Sequence, residues 1–175
     1  MHALKLILMR RIRAALPRLT TMVLAGIFAF TLPAGSAPGQ ALQRAVADPW
    51  SSAQLIEAAE LARELAPMKP DSRPTIVYVG FRTLFDGGHI PGATFHGTAS
   101  TEAGIASLKV WAASLPPTAD VVLYCGCCPF DRCPNIRPAF TLFRDLGFTR
   151  LRVLVLRTSF ATDWAEKNYP MEKGL

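Results

Sequence analysis

Residues 120–125 have the sequence Asp-Val-Val-Leu-Tyr-Cys, a short apolar run that leads directly into a cysteine. A run of β-branched and aromatic residues like this one is typical of a strand buried on both faces of a sheet. Residues 75–79 and 151–156 show the same pattern and predict two further strands. Apolar residues at helical spacing predict helices over residues 51–66, 102–114, 138–146 and 160–168.

The first of these helices is expected to begin at Ser51, because Gln54 follows at the spacing of a capping box. Strands that alternate with helices indicate an α/β fold, in which helices cover both faces of a parallel sheet. Trp111 and Trp164 fall within the predicted helices, and we expect both to belong to the core.

Cys125 stands immediately after the strand of residues 120–124. In parallel α/β sheets, ligands bind beyond the carboxyl ends of the strands. A loop between a strand and the next helix can direct several backbone N–H groups to one point, which lowers the pKa of a thiol there. We therefore predict that Cys125 is a reactive nucleophile. The alternative is an inert cysteine buried at a strand end.

Residues 125–136, the cysteine loop, contain the chain's four cysteines: Cys125, Cys127, Cys128 and Cys133. In one interpretation Cys125 attacks a substrate, and one of the other three resolves the product as a disulfide. In a second, one disulfide staples the loop and leaves Cys125 free. In a third, the thiolates bind a metal, and soft thiolates would suit copper(I). The spacing C-x-C-C-x4-C lacks the C-x2-C pairs of structural zinc sites, and we predict no metal and no cofactor.

Other residues of this region are candidates for contact with an anionic substrate. Arg132 is the favoured one, whereas Arg137 is either a second contact or a solvated residue at the start of a helix. Gly126 and Asn135, together with Cys127 and Cys128, complete the predicted anion-binding loop. A phosphatase loop of the form C-x5-R is excluded, because the residues six positions after the first three cysteines are Asp131, Cys133 and Pro134.

Several segments resemble those of the rhodanese-like domains. Residues 88–93, Gly-His-Ile-Pro-Gly-Ala, resemble the signature segment of that family, and residues 121–125 resemble the strand that carries its active cysteine. Residues 145–148 and Trp164 with Tyr169-Pro170 resemble later family segments, and the order is kept over about residues 50–174. The resemblance implies a rhodanese α/β fold and a persulfide on Cys125. It also implies a sulfur donor such as thiosulfate, or a protein persulfide or thiol as partner.

The sequence departs from the family pattern at three places, one of which is Ser159-Phe160, where the family has a glycine pair before the last helix. Tyr78-Val79-Gly80 stands where the family usually has Asp-x-Arg, and Arg82 is a possible substitute for the arginine. The cysteine loop is several residues longer than usual and has three additional cysteines. The alternatives to sulfur transfer are therefore thiol–disulfide redox chemistry and a non-catalytic module that binds a metal or a partner.

The signature segment contains Gly88, His89, Pro91 and Gly92, to which we assign a structural role. We expect His89 to fix its own loop by hydrogen bonds rather than to act as a base. His96 lies in no recognisable pattern.

Residues 1–41 have the order of a secretory signal peptide: a basic region, an apolar run at residues 22–32, then small residues and prolines. Cleavage is expected after Ala41, with Ser36 as the alternative, and leaves one domain over residues 42–175. This predicts a periplasmic or secreted protein without membrane attachment after cleavage. The apolar run is short for the roughly 20 residues of a membrane span, and an uncleaved anchor is the alternative.

The net charge of +6 has its source in the N-terminal segment. Five of the 19 basic residues precede residue 42, and the remaining chain has 14 basic and 13 acidic residues. Without a basic stripe interleaved with aromatic residues, the mature chain is not expected to bind nucleic acid.

Overall fold

The computed structural model describes residues 47–174. The predicted signal peptide and its cleavage site lie outside the described residues. Within residues 47–174, no helix combines the length and the apolar character needed to cross a membrane.

Five strands form one entirely parallel sheet in the spatial order β1-β5-β4-β2-β3. In chain order they are β1 (Leu55–Glu57), β2 (Thr75–Tyr78), β3 (Thr94–Phe95), β4 (Asp120–Tyr124) and β5 (Arg150–Val155). The predicted fold class and the three predicted strands are confirmed. The strand that precedes Cys125 is the centre of the sheet, where both of its neighbours run parallel to it.

The helices are α1 (Ala58–Leu65), α2 (Arg82–Gly87), α3 (Glu102–Ala112), α4 (Ile136–Asp145) and α5 (Phe160–Asp163). Residues of α3 and α4 pack in the core on one face of the sheet, and residues of α1 and α2 pack in the core on the other. Trp164, at the end of α5, belongs to the second core and is fully buried, as predicted. Trp111 is only partly buried, and the ring of His96 stacks on it at 3.7 Å between centroids.

The pattern of burial along β4 explains its continuous apolar sequence. Val121 and Leu123 belong to the core beneath α3 and α4, whereas Val122 and Tyr124 belong to the opposite core, and all four are fully buried. Because successive side chains of a strand point to opposite faces, a central strand covered on both faces needs apolar residues throughout. The same alternation places Cys125 in the core beneath α3 and α4.

The first predicted helix is wrong over its first turn. Gln54 Oε1 accepts a hydrogen bond from the Ser51 N–H at 3.0 Å, as a capping box requires, but the helical turn after Ser51 ends at Gln54. Residues 55–57 then form β1 beside β5. Apolar residues at 55 and 56 satisfy a strand as well as a helix, and pairing with β5 decides between the two.

Three shorter elements also differ from the sequence prediction. Helix α2 and the two-residue strand β3 were not predicted, because both are too short to show a clear period. The helix expected over residues 160–168 is interrupted at Trp164, whose backbone is not helical, and continues as a separate turn over Ala165–Lys167.

Candidate active site: a cluster of four thiols

Cys125 lies at the carboxyl end of the sheet, as predicted, and only 4% of its surface is exposed. The backbone turns at Gly126, which has a φ of +71°. The Gly126 carbonyl accepts a hydrogen bond from the Phe160 N–H at 3.0 Å, which attaches the cysteine loop to α5. The position of Cys125 is thus fixed by β4 on one side and by this turn on the other.

The fold brings all four cysteines together into one thiol cluster. The Cys125 and Cys127 sulfurs are 3.0 Å apart, and those of Cys127 and Cys128 are 3.3 Å apart. The sulfurs of Cys125, Cys127 and Cys133 all lie within 4.8 Å of one another. Cys125 and Cys133 are buried, whereas the other two are partly exposed. All four are free thiols in this structure, so a disulfide stays a prediction.

The additional residues of the cysteine loop return the chain to Cys125. Pro129 precedes a single 3₁₀ turn over Phe130–Arg132, and the Cys133 N–H closes this turn on the Phe130 carbonyl at 3.3 Å. Cys133 therefore lies beside Cys125 although eight positions separate them along the chain. The additional loop residues therefore bring a second buried cysteine, Cys133, next to Cys125.

Asn135 connects the cluster to the segment before α3. Its side chain is fully buried, and its Nδ2 group donates to the sulfurs of Cys125 and Cys127 at 3.4 and 3.5 Å. Its Oδ1 atom accepts a hydrogen bond from the Ser100 backbone N–H at 2.8 Å. Asn135 was predicted from the sequence to contact an anion. In the structure its side chain contacts two sulfurs, either of which could carry a negative charge.

The acidities of the thiols differ from the expectation for Cys125. The hydrogen bond from Cys125, together with the backbone N–H groups of Asn135 and Ile136 at the start of α4, lowers the pKa of Cys133 to about 6. The hydrogen bond to Cys133, and then burial, raise the pKa of Cys125. The backbone N–H groups at the start of α4 act on Cys133. On Cys125, the backbone N–H of Cys127 lowers the pKa, but the hydrogen bond to Cys133 and burial outweigh it.

Burial, followed by the hydrogen bond with Cys127, raises the pKa of Cys128 to about 12. The negative charge of the cluster therefore lies on the buried side, where Cys125 and Cys133 share a hydrogen bond.

Tyr78 is a site residue that sequence reasoning missed. Its Oη atom is buried and has no hydrogen-bond partner within residues 47–174. Burial first, and then the nearby thiols, raise the pKa of Tyr78, whereas the nearby backbone N–H of Phe81, which is poorly oriented for a hydrogen bond, lowers it. Gly80 permits this approach, since a methyl group there would overlap Tyr78 Oη and lie 3.0 Å from Cys125 Sγ. The available signal was that Tyr78 stands where the rhodanese-like domains have an aspartate.

A cavity of about 430 Å³ adjoins the cluster. Cys127 is the cysteine that lines it, and Tyr78 and Gly126 form the wall beside Cys127. The rest of the lining is mainly apolar and includes Leu84, Phe160, Ala161 and Met171. Lys173 provides the one charged group among the described residues that line this cavity. Among the sulfurs, that of Cys127 is therefore best placed to meet a molecule in this apolar cavity.

The two arginines predicted for anion contact have acidic neighbours. The side chain of Arg132 is 78% exposed, with its Nε atom 3.9 Å from the Asp131 carboxylate. Arg137 forms a 2.7 Å ion pair with Asp48, and its guanidinium lies over the Trp50 ring. The structure does not bring either guanidinium into hydrogen-bond contact with the thiols, and anion binding by these arginines stays a prediction.

The signature segment is held in place by hydrogen bonds. His89 is buried, its Nδ1 atom lies 2.9 Å from the Phe85 carbonyl oxygen, and its ring stacks on Phe85. Its backbone pairs with Glu172, whose side chain also accepts from the Gly92 N–H at 3.1 Å. Gly88 leaves room for Met171. The segment thereby attaches the C-terminal residues beside the cavity.

No family model matches the sequence, and no curated protein matches it. Among solved structures, the chain is similar to the solution NMR structure of the rhodanese-like domain of the Alr3790 protein from Anabaena sp.. That domain is 26% identical, with coverage of 69% of this chain and 79% of that one and a TM-score of 0.50. A crystal structure of Alr3790 is 25% identical, with coverage of 69% and 93% and a TM-score of 0.50.

The BH2092 protein from Bacillus halodurans is 20% identical, with coverage of 67% and 75% and a TM-score of 0.51, and this likeness concerns the fold alone. The parallel sheet, the cysteine after its central strand, the signature segment and the similarity to Alr3790 agree with one another. This chain has the rhodanese-like α/β fold and is similar in sequence and structure to the rhodanese-like domain of Alr3790.

Proposed function

We propose that this protein is a sulfurtransferase that carries the transferred sulfur as a persulfide on Cys125. The observation that carries the proposal is the position of Cys125 after the central strand of a rhodanese-like domain, within hydrogen-bond distance of Cys127 and Asn135. Rhodanese-like relatives support a domain of the sulfurtransferase type. The donor is a small sulfane compound such as thiosulfate, or a protein persulfide.

With thiosulfate, the Cys125 sulfur attacks the outer sulfur of the donor as a thiolate. A new S–S bond forms, the S–S bond of thiosulfate breaks, and sulfite leaves with the electron pair of that bond. The sulfur of Cys133, within 4.8 Å, is positioned to take the thiol proton. In the second half-reaction an acceptor thiolate attacks the terminal sulfur and releases the Cys125 thiolate.

The surroundings of Cys125 suit a negatively charged persulfide. The Asn135 amide donates to the Cys125 sulfur at 3.4 Å, and hydrogen bonds to an ionised acceptor are stronger than those between neutral groups. Gly126 and Cys127 open towards the cavity, which provides room for the donor and the acceptor.

The 3.0 Å distance between the sulfurs of Cys125 and Cys127 supports a second function, thiol–disulfide exchange. Here the Cys127 thiolate attacks the inner sulfur of the Cys125 persulfide. A Cys125–Cys127 disulfide forms and hydrosulfide leaves with the electron pair of the broken S–S bond. An external thiol then reduces the disulfide, so that the protein consumes two thiol equivalents for each sulfur released.

Mass spectrometry of the intact reduced protein after incubation with thiosulfate tests both functions. The wild-type protein should gain the mass of one sulfur atom, the Cys125→Ser variant should gain none, and the matched Cys128→Ser variant should behave like the wild type. A stable loss of two hydrogen atoms, with sulfide released, supports the exchange reaction. The sulfurtransferase proposal fails if the wild type gains no sulfur from thiosulfate or from an organic persulfide.

We further propose that the protein acts outside the cytoplasm, on the basis of the predicted signal peptide. The test is the N-terminal residue of protein recovered from the periplasm or the medium, which should be Leu42. Recovery of full-length protein from the cytoplasm alone would contradict export.

A further inference from the structure

Three sulfurs of the thiol cluster converge on one point. Those of Cys125, Cys127 and Cys133 lie within 4.8 Å of one another, and the sulfurs of Cys125 and Cys127 are 3.0 Å apart. In a planar three-thiolate site with metal–sulfur bonds of about 2.3 Å, neighbouring sulfurs are about 4.0 Å apart. Displacements of the sulfurs by about 1 Å would bring them to this spacing.

The surroundings of this point select a soft cation. All three potential ligands are thiols, and no carboxylate or imidazole belongs to the group found in the described part of the chain. Cys125 and Cys133 lie in the apolar core, whereas Cys127 lines the open cavity and provides a route for the ion. Thiolate ligands in an apolar setting favour copper(I) over hard divalent cations.

Hydrogen-bond donors already surround the same three sulfurs. Asn135 Nδ2 donates to Cys125 and Cys127, and the backbone N–H groups of Asn135 and Ile136 donate to Cys133. Groups of this kind orient thiolate ligands and offset their negative charge. The Cys128 thiol is hydrogen-bonded to Cys127 but does not belong to the group of three convergent sulfurs. The group therefore offers three ligands rather than the four of a tetrahedral zinc site.

We propose that Cys125, Cys127 and Cys133 form a three-coordinate site for copper(I). The spacing of the cysteines in the sequence did not predict a metal, because C-x-C-C-x4-C contains no C-x2-C pair. The site is instead completed by the return of Cys133 to Cys125. It is independent of sulfur transfer, although a bound ion and a persulfide on Cys125 exclude each other.

The test is anaerobic titration of the reduced protein with copper(I) in competition with a chromophoric copper(I) chelator. One equivalent should bind. Loss of an outer hydrogen-bond partner typically weakens metal binding about 10- to 100-fold, so loss of a direct ligand should weaken it at least about 100-fold. We expect this for Cys125→Ser, Cys127→Ser and Cys133→Ser, whereas the matched Cys128→Ser variant should keep its affinity within about threefold.

X-ray absorption spectroscopy of the copper-loaded protein should show three sulfur neighbours, and circular dichroism should show that each variant is folded. Equal loss of affinity in Cys128→Ser, two sulfur neighbours, or preferential binding of zinc with four sulfurs would overturn the proposal. Because the titration requires no sulfur donor, its failure is distinguishable from failure of the sulfurtransferase proposal.

Discussion

The Asn135 side chain holds Cys125 and Ser100 at the same time, with Nδ2 3.4 Å from the Cys125 sulfur and Oδ1 2.8 Å from the Ser100 nitrogen. One buried amide therefore orients the sulfur at the end of β4 and also fixes the chain before α3. The Nδ2 group contacts the sulfur and the Oδ1 atom contacts the backbone, and substitutions can remove one contact without the other.

Replacement of Asn135 by Asp keeps an acceptor for the Ser100 N–H but removes the donor to the sulfurs and places a carboxylate beside them. We expect persulfide formation from thiosulfate to slow at least about tenfold, which corresponds to the loss of about 1.4 kcal/mol from a hydrogen bond to a charged group. This rate is measured by quenching the reaction with an alkylating agent at successive times and quantifying the persulfide by mass spectrometry.

Asn135→Ala removes both ends of the amide and is the companion variant. It should slow persulfide formation and also lower the free energy of unfolding by about 1–3 kcal/mol, because the Ser100 N–H loses its buried partner. Normal persulfide formation in both variants would show that the amide has no part in the chemistry.

Gly126 cannot accept a side chain. Its φ is +71°, and a methyl group there would lie 2.7 Å from Phe160 Cβ and 2.9 Å from Leu156 Cδ1. Gly126→Ala should therefore lower the free energy of unfolding by about 3 kcal/mol or more, as strain and overpacking add. Denaturant unfolding measures this change, and persulfide formation should fall with it because the turn positions Cys125.

Gly147→Ala is the matched control. Gly147 has a similar φ of +85°, but a methyl group there meets no described atom within 4 Å. It should cost only the backbone strain, about 1–2 kcal/mol, and leave persulfide formation unchanged. Equal effects of the two substitutions would mean that the close packing around Gly126 is unimportant.

Tyr78→Phe removes a buried hydroxyl that forms no well-oriented hydrogen bond within the described residues. The free energy of unfolding should stay constant or rise by up to about 1 kcal/mol. If this hydroxyl donates to a sulfur bound in the cavity, transfer should slow about tenfold. Thermal unfolding and a steady-state assay of sulfur transfer provide the two measurements.

Tyr124→Phe serves as the comparison, since Tyr124 Oη accepts a hydrogen bond from the Ile90 N–H at 3.1 Å. Its loss leaves a buried donor unpaired and should destabilise the fold by about 1–3 kcal/mol. The opposite order of stabilities for the two variants would refute the assignment of Tyr78 as the unsatisfied hydroxyl.

Glu64 predicts a dependence of stability on pH. It accepts two hydrogen bonds from Arg152, at 2.7 and 2.9 Å, and this interaction lowers the pKa of Glu64. A carboxyl whose pKa is lowered by folding stabilises the protein above its unfolded pKa, and this contribution is lost as the pH falls through the folded pKa. The free energy of unfolding should therefore fall as the pH drops below about 4.3, the ordinary pKa of a glutamate.

In Glu64→Gln this fall should be smaller, as measured by denaturant unfolding at several pH values. The matched control is Glu57→Gln, which removes a more exposed pair with Arg157 and should change stability by less than about 1 kcal/mol. Identical pH profiles for Glu64→Gln and the wild type would contradict the role of Glu64.

The elements predicted correctly are those with a strong local signal. β4 is apolar throughout because it is buried on both faces, and its end marks the position of Cys125. β1 was taken for part of a helix, since Leu55 and Ile56 fit either pattern and only their pairing with β5 distinguishes them. β3 is two residues long and carries no period of its own.

The candidate site also has a part that could be predicted from the sequence and a part that could not. The sequence singled out the cysteine loop, but the distribution of acidity within it depends on distances in space: Cys133 accepts hydrogen bonds from Cys125 and the start of α4, which reverses the expectation for Cys125. Tyr78 was overlooked because a tyrosine at the end of a buried strand is normally read as part of the core.

By itself, the sequence determined the α/β class, the central strand and the residue that follows it, because burial and alternation act over a few neighbouring residues. The tertiary structure decided which thiols meet and which of them is stabilised as an anion. It also decided that Tyr78 and the apolar cavity adjoin them. These properties depend on groups that are far apart in the chain and come into contact only when the sheet and α4 have formed.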